Sequence, residues 1–515
     1  MWSLLLFAYA FVVPTGGSPT ARSTAPIVAN ITISTTLTSV STADACTDIA
    51  ICRTRYTIIW SSLFTILACV WTAVHRNVPE PERADESPSW HIVGRVLEAV
   101  KIVAAAVLVP EWVLAWAVRQ RLNAHTVRKE LESARHEAQE NWDAKQEKLS
   151  ELMRDRDEGE VVRDESMAAT SSETSPLLPA EGKAQLTRSQ VEKSKARQLA
   201  FDDLIVAANQ QTGRSRGRWT LRHGFSVIMG GFHYYRDGEP RHPLSRWDIV
   251  ALVKSGDLVP PTDEELRTWS QGDTLSKMLA IIQTLWFVIQ AIARRIEDLP
   301  ITQLEIMTLA YTTITVAMYA AWWDKPQNVG GPIRATVKKL PEQEKLDEWD
   351  WYEHVFYAII GWQDDIVDLR KERRVPTFYG GGTGEDSNNG GFADILALFA
   401  ALVFGAVHCA AWHYSFPSHI EKFIWHISSL AIVVIPAVML VLLLVAAVFT
   451  SDESNLPGVL KDALPVICML VFLLSAPIYV AARLLLLALS FSTLRSLPPE
   501  AYRAVQWTLR IPHFT

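Results

Sequence analysis

The chain has 515 residues, of which 49% are hydrophobic and 20% are charged, and its formal net charge is −7. This balance, with no basic stripe long enough to follow a phosphate backbone, excludes a nucleic-acid partner. The apolar residues are grouped into blocks, several of which approach the roughly 20 residues that a helix needs to cross a membrane. Composition therefore predicts an all-α, polytopic membrane protein with six or seven transmembrane helices and the lipid bilayer as a partner.

The N-terminal region has the features of a secretory signal peptide. Residues 1–17 combine a short apolar core with small residues near Gly17. An uncleaved anchor is the alternative, because no Lys or Arg precedes the apolar core. Residues 18–55 are rich in Ser and Thr and carry the sequon Asn30-Ile31-Thr32. The sequon predicts a glycoprotein modified at Asn30, in a lumenal or extracellular segment.

The cysteine positions agree with a lumenal or extracellular location of residues 18–55. Cys46 and Cys52 can close a small disulfide loop in an oxidising compartment, and the pattern predicts this bond. The other three cysteines lie in apolar runs as packing residues.

The first apolar region, residues 56–118, contains one clear span and one ambiguous segment. Tyr56–Val74 is the predicted span. Ile102–Val118 contains Pro110 and Glu111 in its middle, which predicts a kinked helix with a carboxylate at membrane depth. Such a carboxylate is a functional-site hypothesis. The alternative is a re-entrant or interfacial helix with Glu111 in water.

Residues 119–277 form a long polar region that we predict to be partly disordered and cytosolic. The highly charged Arg119–Arg156 segment predicts a solvated helix, and residues 159–185 have the composition of a disordered linker. Basic residues next to the spans favour the cytosolic side. Seven spans would instead place this region outside the cell, as in a receptor layout.

The linker contains a match to a sorting signal. Glu173, Leu177 and Leu178 fit the acidic dileucine pattern that sorting adaptors recognise in cytosolic tails. A cytosolic adaptor is therefore a predicted partner if the region lies in the cytosol.

The remaining apolar blocks predict a transmembrane hairpin at residues 278–323 and a three-span bundle at residues 395–495. The polar loop between them, residues 324–394, includes an amphipathic interfacial helix at residues 349–362 and a Gly-rich stretch that predicts a flexible linker. Residues 496–515 form the C-terminal tail. The predicted spans are Met278–Ala293, Leu304–Trp323, Ile395–Trp412, Ile427–Phe449 and Leu464–Ala482.

Several long stretches resemble a family of uncharacterised multi-pass membrane proteins of filamentous fungi. They are "CRTRYTIIWSSLFTILACVWTAVH", "PEWVLAWAVRQ", "LSKMLAIIQTLWFVIQAIAR", "LPITQLEIMTLAY", "WWDKP" and "LRSLPPEAYRAVQWTLRIPHFT". The resemblance covers both membrane portions and implies a signal-bearing membrane protein. It assigns no catalytic residues.

Two groups of residues are candidates for metal chemistry. Asp364, Asp365 and Asp368 in "DDIVD" have the spacing at which helical carboxylates converge on Mg²⁺ bound to a diphosphate, as in isoprenoid-handling enzymes. A solvated acidic turn is the alternative. His408 and His426 lie near span ends. A pair of imidazoles there predicts a metal or haem site, and the alternative is that each ring makes an ordinary hydrogen bond at the membrane interface.

No phosphate loop, nucleophile elbow or HExxH pattern occurs, and we predict no cofactor. The sequence favours a non-enzymatic organiser, receptor-like or transport component of the plasma membrane or of a vacuolar or endosomal membrane reached through the secretory pathway. The alternative is a Mg²⁺-dependent membrane enzyme that acts on a diphosphate through Asp364, Asp365 and Asp368.

Overall fold

The computed structural model describes residues 52–81, 88–170, 217–270, 273–335, 340, 363–364, 366–382, 387–449 and 457–505. All of them belong to one unit that extends from Asp48 to Thr515. In chain order the elements are α1 (Arg55–Ala73), α2 (Pro88–Leu108), α3 (Pro110–Thr170), α4 (Leu221–Ile228), β1 (Phe232–Arg236), β2 (Glu239–Pro243), α5 (Arg246–Ser255), α6 (Asp263–Trp269), α7 (Asp273–Ile296), α8 (Gln303–Ala321), β3 (Ile333–Ala335), α9 (Ser387–Cys409), α10 (His419–Phe449) and α11 (Gly458–Ser492).

Six helices in the described part of the chain are long and apolar enough to cross a membrane, which confirms the predicted helical polytopic fold. They are α1, α7, α8, α9, α10 and α11. On α7, Ile282, Leu285 and Ile289 are large apolar residues with about half of their surface exposed. Exposed apolar side chains at helical spacing form the face that a spanning helix presents to lipid.

One end of the helical bundle gathers the start of α1 and the end of the described chain; we call it the terminal face. The backbone N–H of Arg53 donates to the Tyr502 carbonyl at 2.7 Å, and Nη1 of Arg294 donates to the Arg503 carbonyl at 2.7 Å. Arg53 also forms an ion pair with Glu305, in the first turn of α8. These contacts place the ends of α1, α7, α8 and the C-terminal segment together.

The opposite end, the loop face, gathers the end of α1, the end of α8 and part of α3. Nζ of Lys325 donates to the His75 carbonyl, and Nη1 of Arg121 donates to the carbonyls of Ala320 and Ala321. Three connections on this face carry the polar parts of the chain.

Helices α2 and α3 form a hairpin that reaches the loop face on both sides of its tip. Glu98, midway along α2, accepts from Arg374 at 2.7 Å, and Glu80, which precedes α2, pairs with Arg373. Arg121 of α3 lies beside the end of α8. The hairpin tip, by contrast, reaches Tyr311 in the middle of α8. The Ile102–Val118 segment therefore enters and leaves the bundle on one side, while Glu111 at its tip is buried rather than in water.

A small polar layer packs on the loop-face part of α3. Helices α4 and α5 contact α3, and Arg246 of α5 pairs with Glu130 of α3. The three-stranded sheet has the order β2-β1-β3, antiparallel between β1 and β2 and parallel between β1 and β3. Its hairpin turn contains Asp237 and Gly238, both at positive φ, as the Asp-Gly sequence favours.

Two local predictions differ from the structure. Helix α3 continues to Thr170, into the segment predicted to be a linker, because no proline follows Pro110 within it and its one glycine, Gly159, costs only about 1 kcal/mol. In the Gly-rich stretch, the carbonyls of Tyr379 and Gly380 accept hydrogen bonds from α3 side chains, so this part of the predicted flexible linker is packed. The predicted interfacial helix at residues 349–362 lies outside the described residues.

Candidate functional site

The tip of the α2–α3 hairpin leaves backbone carbonyls without helical partners. Pro110 lacks an N–H group and begins a new helix, and the N–H of Trp112 bonds to the Val109 carbonyl rather than to that of Leu108. Side chains from two spanning helices bond to the exposed carbonyls instead. The Tyr311 hydroxyl donates to the Val107 carbonyl, and Nη1 of Arg483 donates to the Leu108 carbonyl at 2.9 Å.

Glu111, predicted to be an intramembrane carboxylate, pairs with Arg483 of α11. Nη1 of Arg483 donates to Oε2 of Glu111 at 3.1 Å, and the two side chains are only 4% and 12% exposed. Glu111 lies in the first turn of α3, where the helix dipole stabilises a negative charge. The pair is thus an opposite-charge contact inside the apolar bundle.

The guanidinium group of Arg483 has more donors than this pair uses. Its Nε and Nη2 are buried and have no hydrogen-bond partner among the described residues. Aromatic rings flank it instead: the Phe404 centroid is 3.9 Å and the Tyr479 centroid 5.4 Å from the guanidinium carbon. Each unsatisfied buried donor costs about 1–3 kcal/mol, so the arrangement leaves unused binding capacity at membrane depth.

His408 lies next to this centre but does not join His426. Its Nδ1 donates to the Phe404 carbonyl at 2.8 Å, and its ring is 4.7 Å from the Phe404 ring. Nε2 of His408 is buried and has no partner in the described part of the chain. His426 instead bonds through Nε2 to the Trp412 carbonyl at 2.8 Å and stacks on that indole ring. The two histidines therefore have separate environments.

The described residues of the DDIVD segment, Asp364 and residues 366–368, are not helical, whereas the predicted convergence of the carboxylates requires a helix. Both carboxylate oxygens of Asp364 accept from backbone N–H groups, that of Gly380 at 2.7 Å and that of Gly382 at 2.9 Å. Asp368 accepts from the backbone N–H of Arg370 and lies 3.8 Å from Lys371. Asp365 lies outside the described residues. Asp364 thus holds the Gly-rich loop against α3.

Burial dominates the titration of Asp364. Loss of solvation raises the pKa of Asp364 to about 6, although the N–H groups of Gly382 and Gly380 and the nearby Arg119 charge oppose the shift. The carboxylate is therefore partly protonated in weakly acidic solution.

A second buried charge, Lys325, was not singled out from the sequence. Its Nζ donates to the His75 carbonyl at 2.5 Å, Oε1 of Gln120 at 2.8 Å and Oδ1 of Asn77 at 3.2 Å. The indole rings of Trp116 and Trp322 lie 4.8 and 4.9 Å from Nζ. Burial lowers the pKa of Lys325 well below its ordinary value, while the three acceptors and two rings favour the charged form. All three ammonium hydrogens are used, and their bonds connect the segment after α8 with α3 and with the segment after α1.

The other predicted sites are only partly described. Cys52 is disulfide-bonded, and Cys69, Cys409 and Cys468 are free. The remaining predicted site residues lie outside the described part of the chain: Asn30, Cys46, Glu173, Leu177 and Leu178.

Sequence reasoning found Glu111 but missed its partner. The signal for Arg483 is a single cation inside the long apolar run "PIYVAARLLLLALSF", which the sequence interpretation took only as the end of a span. The signal for Lys325 is the cation of "WWDKP" directly after a span.

Comparison with known proteins identifies a family but no function. No curated protein and no solved structure matches the chain. The model of a family described as a family of unknown function, DUF8562, matches residues 28–162, 183–361 and 389–514. The matched ranges make up most of the chain and include Glu111, Lys325 and Arg483. The chain therefore belongs to the family of unknown function DUF8562.

Proposed function

We propose that this protein is a non-enzymatic transport or receptor component that binds a small anionic group at Arg483 inside the membrane. The observation that carries the proposal is the buried guanidinium whose Nε and Nη2 have no hydrogen-bond partner among the described residues. A planar guanidinium recognises a carboxylate or a similar oxyanion with two parallel hydrogen bonds. Arg483 has such a pair of donors left over.

The neighbours of Arg483 support a binding role over a purely structural one. Charged side chains inside a membrane are costly. A residue whose only role was to hydrogen-bond the Leu108 carbonyl would need one neutral donor and no charge. Glu111 supplies a counter-charge while no ligand is bound. A broken helix with charged groups at its tip is also the arrangement that secondary transporters use at their binding sites.

The membrane layout that accompanies this proposal has six spans, with both termini in the lumen or outside the cell. Residues 119–277 are then cytosolic, because the α2–α3 hairpin returns to the face from which it starts. The disulfide at Cys52 on the terminal face supports an oxidising compartment there. This layout keeps Glu173, Leu177 and Leu178 available to a cytosolic sorting adaptor.

Anion-dependent thermal stability of the purified full chain in detergent tests the proposal. The probes are sodium chloride, sodium acetate and sodium phosphate at constant ionic strength, with sodium gluconate as the bulky reference salt. A ligand at 100 times its Kd raises the free energy of unfolding by about 2.7 kcal/mol. We expect at least one small anion to stabilise the wild-type protein relative to gluconate.

Two substitutions distinguish binding from structural support. Arg483→Gln is expected to abolish the anion effect, and Glu111→Gln to enlarge it, because the internal competitor for the guanidinium is removed. Arg295→Gln, at an arginine with 77% of its side chain exposed, is the control and retains the wild-type response. If Glu111→Gln only lowers stability and no anion acts on any variant, Arg483 is a structural residue and the proposal is wrong.

A further inference from the structure

A cavity of about 510 Å³ lies between α3, α8 and α9, on the loop-face half of the bundle. Its wall is almost entirely apolar and includes Leu114 and Val118 of α3, Ala317 of α8 and Phe399 of α9. The alanines on α8 leave this space because their side chains end at Cβ. The volume falls within the roughly 300–1,000 Å³ typical of ligand pockets.

The cavity opens toward the surface that faces lipid. Phe392 and Phe399 line it and are 55% and 58% exposed. Both residues belong to α9, one of the helices able to cross a membrane. The substance with direct access to this opening is therefore the hydrocarbon of the bilayer.

A cationic group lies at one end of the cavity. Arg121 is among its lining residues, and its side chain is 35% exposed. All of its bonds, to the carbonyls of Ala320 and Ala321 and to Oδ2 of Asp324, start from Nη1 and are 3.3 Å long. Nε and Nη2 of Arg121 make no hydrogen bond to these three groups.

The depth of Arg121 matches the level of lipid phosphates. Eleven residues of helix separate it from Pro110 at the hairpin tip, a distance of about 16 Å at 1.5 Å per residue. Half of a hydrocarbon core is about 15 Å thick, so a tip near the bilayer centre places Arg121 at the headgroup boundary.

The charge around Arg121 favours an anionic headgroup. His125, one turn further along α3, lies within electrostatic range of Arg121, Arg128 and Lys129, with Asp324 as the opposing charge. Among the charges that act on His125, three permanent cations oppose one carboxylate, so the surroundings of Arg121 on α3 are positive. Anionic lipid headgroups are attracted to such juxtamembrane clusters.

We propose that the cavity between α3, α8 and α9 holds one acyl chain of an anionic phospholipid whose negatively charged headgroup binds Arg121. The acyl chain fills the apolar space, and oxygen atoms of the anionic headgroup accept from the donors that Arg121 does not use. The Phe404 ring separates this site from the Glu111–Arg483 pair. It forms part of the cavity wall, and it also covers the Arg483 guanidinium.

Native mass spectrometry of the full chain in detergent, titrated with phosphatidylserine or phosphatidylcholine of identical acyl chains, tests this site. We expect more bound phosphatidylserine than phosphatidylcholine on the wild-type protein. Thr313→Trp places an indole in the cavity and is expected to reduce the binding of both lipids. Val316→Trp, at a residue of the same helix that is 56% exposed and does not line the cavity, is the matched control and keeps wild-type binding.

A separate substitution tests the contact between Arg121 and the lipid headgroup. Arg121→Gln is expected to lower the preference for phosphatidylserine about fivefold, the factor that corresponds to one juxtamembrane cation. Because Arg121 is partly exposed, this variant remains informative if Thr313→Trp fails to elute as a folded monodisperse species. Equal binding to the two tryptophan variants, or an unchanged lipid preference in Arg121→Gln, overturns the proposal.

Discussion

Asp364 is a partly buried carboxylate that is held by backbone N–H groups, and its titration is a property of this one residue. Its pKa is about 6 in the folded protein, against 3.8 for an unperturbed aspartate. The folded state therefore binds the proton more tightly than the unfolded state. The resulting stabilisation is fully present below about pH 4 and is lost as the pH rises through about 6.

We expect the free energy of unfolding of the wild-type protein to fall by about 2 kcal/mol between roughly pH 4 and pH 6 through this residue alone, and by about 3 kcal/mol in total from well below pH 4 to well above pH 6. Asp364→Asn should lack this component, because an amide does not titrate. It should also be less stable at pH 4, since its NH₂ group faces a backbone donor. Thermal unfolding in detergent across this pH range measures both effects.

The comparison needs an exposed aspartate as its control. Asp237→Asn changes a side chain that is 82% exposed and is expected to follow the wild-type pH profile. A wild-type profile that is indistinguishable from that of Asp364→Asn would show that the Asp364 carboxylate ionises without cost in the folded state.

The contact between α3 and α4 depends on a missing side chain. A Cβ atom at Gly224 would lie 2.3 Å from the carbonyl oxygen of Ala124, a backbone atom that cannot rotate away. Gly224→Ala therefore forces the two helices apart. We expect it to lower the free energy of unfolding by about 1–3 kcal/mol, as overpacking does elsewhere.

The matched control is Gly94→Ala in α2, because a Cβ there meets no atom within 4 Å. In a helix interior this change is expected to be neutral or to stabilise by up to about 1 kcal/mol. Limited proteolysis of residues 217–270 together with thermal unfolding follows both variants. Equal stability of the two variants would contradict the close helix contact.

At the scale of the whole molecule, the α2–α3 hairpin determines on which side the long polar region lies. A hairpin that returns to the loop face leaves six crossings and places the start of α1 and the C-terminal segment on one side. A seventh crossing at Ile102–Val118 would move the long polar region and the α8–α9 connection to the opposite compartment, while the α1–α2 connection would stay on its side.

Glycosylation mapping measures this directly. We expect a sequon inserted beside Ser172 to stay unmodified in cells in which Asn30 carries a glycan that endoglycosidase removes. A second sequon, inserted after Glu500 on the terminal face, is expected to be modified and controls for access of the transferase. Modification beside Ser172 would refute the six-span layout with a cytosolic loop.

Part of the architecture could be read from local sequence because it depends on local chemistry. Each spanning helix is a run of apolar residues of the length that a membrane requires, and Pro110 interrupts a helix wherever it occurs. Glu111 was identifiable because a carboxylate within an apolar run is rare. The small sheet was missed, although Asp237-Gly238 is a strong hairpin signal, because the flanking strands are only five residues long.

The sequence by itself determined the helical membrane class and a helix interrupted at Pro110 beside Glu111, and it left the number of transmembrane helices at six or seven. Only the tertiary structure decided which groups meet: Arg483 lies 372 residues from Glu111 along the chain, and Lys325 bonds to residues 205 and 250 positions away. Such pairings depend on how helices pack, and hydrophobic periodicity specifies a buried face without specifying its neighbour. The same limit explains Asp364, whose spacing resembled a metal motif while its partners are backbone N–H groups of the glycine-rich loop 16 and 18 residues further along.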